Sequence, residues 1–128
     1  MMQSEIQIRV RYNECDSMGV AHHSVYPVWF ELGRTELLRE QGDCYRDLEE
    51  RGLFLVVSEL IIKYKSPASY DDVLELETTL EEVSRIRIKH AYELTCNKRV
   101  VASATTVLAC VNKSGTICEI PEVLANNV

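Results

Sequence analysis

One stretch of the chain decides its fold: residues 24–42 read SVYPVWFELGRTELLREQG. A serine that can cap a helix opens this stretch, and Pro27 stands near the first turn, where a missing N–H costs little. Gly42 supplies the expected C-terminal stop. One long helix is therefore predicted between Ser24 and Gly42. Its apolar positions recur at near-helical intervals and are Val25, Val28, Trp29, Leu32, Leu37 and Leu38.

The sequence on both sides of this helix predicts β-strands. Residues 6–12 alternate strictly between apolar and polar side chains, which is typical of a half-buried strand. A short second helix is predicted over residues 45–51. After Gly52 the strand patterns continue to the end of the chain, interrupted by turn signals. The predicted later strands cover residues 53–65, 73–82, 86–94 and 100–111, with a hairpin turn at 96–99 and a polar tail after Pro121.

This order of elements predicts an α+β fold. One helix cannot cover both faces of an antiparallel sheet of about five strands, so the economical arrangement is a curved sheet wrapped around the helix. The length of 128 residues fits one domain, 1–128, without a linker or an internal repeat.

Composition excludes several classes of function. The formal net charge of −6 makes nucleic acid an unfavourable partner, because binding a duplex needs a surface that neutralises phosphates. Five scattered cysteines without a C-x-x-C pair predict neither a disulfide framework nor a metal site, and no cofactor is indicated. No signal peptide or membrane-spanning run is recognisable, so a cytoplasmic protein is expected.

The residues suited to chemistry lie between the first strand and the helix, where residues 12–23 read YNECDSMGVAHH. Backbone N–H groups at a helix N-terminus can stabilise an oxyanion that forms on a substrate carbonyl. A neighbouring carboxylate can attack that carbonyl or activate water. Asp16 and Glu14 are equally available for this role on the residues alone.

Each of these residues also has a purely structural interpretation. An aspartate in a polar loop is commonly a turn or capping residue. Tyr12 continues the apolar face of the first strand, so it is a candidate for the core. Cys15 is discounted as a nucleophile, because no general base is implied for it.

The chain resembles a known family of enzymes. The motif RYNECDSMGV at residues 11–20 and RTELL at residues 34–38 look like the signature of the 4-hydroxybenzoyl-CoA thioesterase family, closest to its YbgC-like branch. The similarity continues through YDDVL at residues 70–74, so it covers nearly the whole chain. The resemblance implies the hotdog fold and hydrolysis of an acyl-CoA thioester.

The resemblance also implies particular site residues. Asp16, rather than Glu14, occupies the position of the catalytic carboxylate, as nucleophile or as general base. His22 holds a position that the family fills variably. Tyr12 and His23 are implied as catalytic residues beside Asp16. Gly19, Val20 and Tyr26 are implied in substrate binding. The backbone N–H groups of Gly19 and Val20 would bind the thioester carbonyl.

Coenzyme A carries phosphates, so some basic residues should meet them. Arg85 and Arg87 are candidates, together with Lys89 on the same predicted strand face and the earlier pair Lys63 and Lys65. The alternative is an ordinary solvated face. The acyl group, and the choice between acyl-CoA and acyl-carrier protein, stay open at this point.

Exposed sheet edges and the resemblance together predict a homo-oligomer, a dimer or a dimer of dimers, with the active site at the subunit interface. Two other functions fit the same fold: a CoA- or acyl-carrier-binding module without turnover, and a hydroxyacyl dehydratase. Because Asp16, Gly19 and His23 are all present, hydrolysis is favoured over both.

Overall fold

The structure is a computed structural model that describes residues 2–121 and Leu124. The remainder of the predicted polar tail, and with it the end of the predicted domain, lies outside the described residues. The secondary structure elements are β1 (Gln3–Arg9), α1 (Tyr26–Glu40), α2 (Tyr45–Glu50), β2 (Phe54–Tyr64), β3 (Val73–Val83), β4 (Arg87–Cys96) and β5 (Arg99–Val111), with 3-10 turns at Tyr12–Glu14 and His23–Val25.

The five strands form one antiparallel sheet in the order β1-β3-β4-β5-β2. Strands β4 and β5 are joined by a tight hairpin in which Asn97 and Lys98 both have positive φ, as the predicted turn requires. Strands β1 and β2 lie at the two edges of the sheet. The predicted α+β fold, with one long helix against an antiparallel sheet, is confirmed.

Helix α1 packs mainly over β1 and β3, and it buries a face with helical spacing. Val28 and Leu32 were expected among the regularly spaced apolar positions of the helix, yet they are 55% and 40% exposed. The buried stripe is rotated away from them. It consists of Tyr26, Trp29, Phe30, Gly33, Arg34, Leu37 and Leu38.

Gly33 allows the helix to approach the sheet closely. A Cβ atom at this position would lie 2.7 Å from Leu76 Cδ2 and would collide with Thr78 Oγ1, both on β3. The absence of a side chain is therefore required by packing at this point.

The core consists of two clusters of buried apolar side chains, one under each end of α1. Polar side chains are buried in the zone between the two clusters. Tyr92 Oη lies 2.6 Å from Thr106 Oγ1 in this zone, where the two hydroxyls share a buried hydrogen bond. The zone also contains a guanidinium and an imidazole. Its most deeply buried polar residues are Arg34, Thr78, His90 and Thr106.

Three local predictions are wrong. Ser24 does not cap α1: the N-cap is Val25, and Ser24 lies in the preceding 3-10 turn, where its N–H donates to His22 Nδ1. Tyr12 does not continue β1, because the strand ends at Arg9 and the chain turns. Arg85 precedes β4 rather than sharing a strand face with Arg87.

Candidate active site

The loop that carries Asp16 is fixed on the segment before β3. The Asp16 N–H donates to the Val20 carbonyl at 2.8 Å, which closes the loop on itself. The Ala21 N–H donates to Ala68 O at 2.7 Å, and residues 20 and 69 form an isolated β-bridge. Gly19 adopts φ +78°, a conformation that residues with a Cβ rarely take, and this lets the loop reverse. The loop is thus held by backbone contacts.

The carboxylate of Asp16 is exposed and held at one oxygen only. Oδ1 accepts hydrogen bonds from the Met18 N–H at 2.8 Å and from the Val20 N–H at 3.4 Å. The turn-forming interpretation of Asp16 is therefore correct locally. Among the described residues no donor contacts Oδ2, so this oxygen is available to a substrate or to water while Oδ1 fixes the orientation of the group.

Glu14 has a different environment although it is only two residues away. Its Oε1 accepts from the Arg11 N–H at 2.8 Å, and its Oε2 accepts from Trp29 Nε1 at 3.0 Å. The Glu14 side chain is only 12% exposed. Both carboxylate oxygens therefore stabilise the turn and tie it to α1, and the geometry favours Asp16 over Glu14 as the reactive carboxylate.

The two histidines stack at the start of α1, with ring centroids 4.2 Å apart. His22 Nδ1 accepts from the Ser24 N–H, which leaves Nε2 to carry the proton in the neutral ring. The His23 carbonyl accepts from the Tyr64 hydroxyl at 2.8 Å. No hydrogen bond joins either imidazole to Asp16 within the described part of this single chain.

The predicted tyrosines lie in opposite environments. Tyr12 is 80% exposed, and its ring meets Tyr70 edge-on at 5.5 Å, so the core interpretation of Tyr12 is wrong. Tyr26 is buried against Trp29 and Tyr64. Burial raises the pKa of the Tyr26 hydroxyl, the neighbouring Tyr64 raises it further, and Arg99 opposes both.

The backbone donors predicted for the substrate carbonyl have acceptors in this chain. The Gly19 N–H donates to Asp16 O at 3.0 Å, and the Val20 N–H contacts the Asp16 carboxylate. Their role toward a thioester stays a prediction.

Cys15 is not activated as a nucleophile. Partial burial, followed by the adjacent carboxylates of Asp16 and Glu14, raises the pKa of its thiol, which favours the unreactive protonated form.

The candidate phosphate-binding arginines lie at the far end of the sheet from Asp16. The Asp16 loop contacts the segment before β3, whereas Arg85 and Arg87 follow its other end. Strand β3 has 11 residues, which span roughly 35 Å at about 3.3 Å per residue. Within one chain these arginines do not meet the Asp16 loop.

Sequence reasoning overlooked two residues near the loop. Arg99 donates to Ser66 Oγ at 2.6 Å and to Pro67 O at 2.8 Å, beside the segment on which the loop rests. Tyr64 holds the His23 carbonyl. Neither contact has a local signal, because each joins residues more than 30 positions apart.

Among the described residues, no group of three or more histidine, cysteine and acidic side chains is placed to hold a metal ion. No helix of the described chain is long and apolar enough to cross a bilayer.

A long helix packed against a five-stranded antiparallel sheet, preceded by a loop with an exposed carboxylate, is the arrangement that the sequence predicted for a thioester hydrolase of the hotdog type. Comparison with known proteins agrees with this class. A family model described as the thioesterase-like superfamily matches residues 10–128. The acyl-CoA thioesterase YbgC of Haemophilus influenzae is 38% identical over 106 residues, which make up 82% of this chain and 78% of that protein.

Solved structures give the same result. The hypothetical protein TT1821 from Thermus thermophilus superposes with a TM-score of 0.91 at 35% identity and covers 98% of this chain and 94% of its own. The DHNA-CoA thioesterase from Staphylococcus aureus gives a TM-score of 0.87 at 32% identity, with 94% and 80% of the two chains covered. The chain belongs to the thioesterase-like superfamily. The predicted hotdog fold, YbgC-like resemblance and thioester hydrolase class are thereby confirmed.

Proposed function

We propose that the protein hydrolyses small acyl-CoA thioesters, short aliphatic or aromatic, to a free acid and coenzyme A, and that Asp16 is the catalytic carboxylate. The observation that carries this proposal is the environment of Asp16: the side chain is exposed, one oxygen is held by loop amides, and the other has no donor among the described residues. The names of the relatives, acyl-CoA thioesterase and DHNA-CoA thioesterase, support the choice of a CoA thioester.

The chemistry needs only groups that the loop supplies. As a nucleophile, Asp16 Oδ2 attacks the thioester carbonyl carbon, the C–S bond breaks, the CoA thiolate leaves, and water then hydrolyses the mixed anhydride. As a general base, the same oxygen takes a proton from the attacking water. A thiolate is a good leaving group, so either route is accessible to a carboxylate. We assign His23 and Tyr12 to orienting the carboxylate or the water, on the strength of the family resemblance.

We also propose that the working unit is a dimer formed through β2, in the cytoplasm. Strand β2 is an edge strand, so one row of its backbone hydrogen-bonding groups has no partner strand within the described sheet. Large apolar side chains are exposed along it and on the neighbouring face of α1, which is typical of a buried subunit contact. These side chains are Val28, Leu32, Val56, Val57, Leu60 and Ile61.

The proposed function is tested by thiol release from a panel of aliphatic and aromatic acyl-CoAs and one acyl-carrier thioester. Asp16→Asn keeps an acceptor oxygen for the Met18 and Val20 amides, so the loop should persist while the charge is lost. We expect kcat to fall on the order of a hundredfold or more.

Glu14→Gln is the matched control, because it neutralises a neighbouring carboxylate that the geometry assigns to structure. It should lose stability but retain most of its kcat. An Asp16→Asn variant as active as the wild type would contradict the assignment, and a protein that cleaves no thioester would favour the binding-module function.

The dimer is tested by sedimentation of Val57→Glu, which places a charge on the proposed contact. We expect dissociation and loss of thioesterase activity. Val73→Glu changes a valine that is 37% exposed at the start of β3, away from the proposed contact, and serves as the control. If Val57→Glu sediments and reacts like the wild type, the contact is assigned wrongly.

A further inference from the structure

Arg34 is a buried cation whose charge is not neutralised within the core. Arg34 is 7% exposed, and its positive charge lies near the hydroxyls of Tyr45 and Tyr92. Within the described residues its one ion pair is with Glu31 at 3.5 Å, and the Glu31 side chain is 67% exposed. A carboxylate that is mostly solvated compensates a buried guanidinium weakly. The guanidinium is thus buried without a buried anion among the described residues.

The polar side chains on the inner side of Arg34 also offer hydrogen-bond donors, and none of the described side chains there carries a negative charge. A cavity of about 10 Å³, room for one water molecule, is lined by Arg34, Gln41, Tyr45 and His90 together with apolar residues, and no carboxylate of the described residues lines it. Gln41 Nε2 and His90 Nδ1 are buried there and have no hydrogen-bond partner in the described part of the chain. Burial, followed by the positive charge of Arg34, lowers the pKa of His90 to about 4. This side of the core therefore favours negative charge.

A groove on the outer side leads from Arg34 to the first turn of α1. It has a volume of about 160 Å³ and lies between α1 and β2. Pro27 and Val28 line it in the first turn of α1, which follows the Asp16 loop in the sequence. The eight residues from Pro27 to Arg34 span about 10 Å of helix. The other lining residues are Glu31, Val57, Leu60 and Thr106.

The groove thus has apolar walls near its entrance and a cation at its end. We infer that Arg34 is a specificity-determining residue, and that the preferred acyl group carries a carboxylate at the end distant from the thioester. This inference rests on the proposed function, because it places the thioester carbonyl at the Asp16 loop. The methylene groups would then contact Val28, Val57 and Leu60, where the groove meets the proposed subunit contact, and the distal carboxylate would pair with the guanidinium in the bidentate geometry that arginine favours.

Glu31 opposes such a ligand, because its carboxylate lines the same groove. Its exposure leaves it free to turn toward solvent when a substrate carboxylate takes its place. Removing its charge should therefore strengthen the preference, which a purely structural role of the Glu31–Arg34 pair does not predict.

The test compares kcat/KM for two acyl-CoAs of similar length, glutaryl-CoA and hexanoyl-CoA, which differ in ending with a carboxylate or a methyl group. The wild type should favour glutaryl-CoA by roughly ten- to a hundredfold, the range of a hydrogen-bonded charge pair. Arg34→Met should abolish the preference while hexanoyl-CoA hydrolysis stays within a few-fold, and Arg34→Lys should keep part of it. Glu31→Gln should raise the preference a few-fold.

The fold of each variant is checked by circular dichroism, and Glu31→Gln decides the question if Arg34→Met does not fold. A wild type that favours hexanoyl-CoA overturns the inference and leaves the proposed function intact. The inference is also overturned if Arg34→Met loses both substrates equally, or if Glu31→Gln leaves the ratio unchanged. If no thioester in the panel is cleaved, the proposed function fails together with it.

Discussion

Lowering the pH should destabilise the protein through one buried histidine. His90 lies on β4 under α1, it is 6% exposed, and its Nδ1 has no partner among the described residues. Burial, followed by the charge of Arg34, lowers the pKa of His90 from 6.5 to about 4. The unfolded chain therefore binds a proton near pH 6.5, whereas the folded chain resists it until about pH 4.

The sign and size of the effect follow from linkage. Between these two pH values the unfolded state binds more protons, so the free energy of unfolding falls as the pH falls. The loss attributable to His90 is about 2 kcal/mol at pH 5 and about 3 kcal/mol at pH 4, relative to pH 7. Against a typical total of roughly 5–15 kcal/mol, a loss of this size is easily measured.

The assay is urea unfolding of the wild type and His90→Gln from pH 7 to pH 4, at one protein concentration because the proposed dimer would make stability depend on concentration. Glutamine cannot be protonated in this range, so the stability difference between the two proteins should change by about 2 kcal/mol between pH 7 and pH 5. His22→Gln, which replaces an exposed imidazole, is the matched control. Parallel pH profiles for the wild type and His90→Gln would refute the assignment.

Two further predictions concern packing and the structural carboxylate. Gly33→Ala should lower the free energy of unfolding by about 1–3 kcal/mol, because its methyl group would collide with Thr78. Adding Thr78→Ala should recover part of this loss. Thermal unfolding of the single and double variants measures both effects. Glu14→Gln should cost about 1–2 kcal/mol, because a glutamine cannot accept from both Trp29 and the Arg11 N–H. Denaturant unfolding measures this cost, and an unchanged midpoint would show that Glu14 does not anchor the turn.

Much of the fold could be predicted from local patterns. The alternation of apolar and polar side chains predicted the strands. The predicted strand ends agree with the observed ends within a few residues, because turn residues such as Asn97 and Lys98 act on their own backbone. Pro27 in the first turn and the helix end before Gly42 are equally local features. The motif at residues 11–20 also located the loop that carries Asp16.

The tertiary structure alone decided how these elements use their side chains. Which face of α1 is buried depends on where β1 and β3 lie, so Val28 and Leu32 are exposed although their spacing is helical. The same holds for the two loop carboxylates: Glu14 is engaged by Trp29, while one oxygen of Asp16 stays open.

The burial of Arg34 and His90 and the remoteness of Arg85 from the Asp16 loop are likewise consequences of topology. Backbone preferences act over a few residues and can be read along the chain. The environment of a side chain is set by neighbours that are distant in the sequence. Where β1 pairs with β3, for example, Ile6 lies opposite Leu76, seventy positions away. Only the assembled sheet brings such neighbours together.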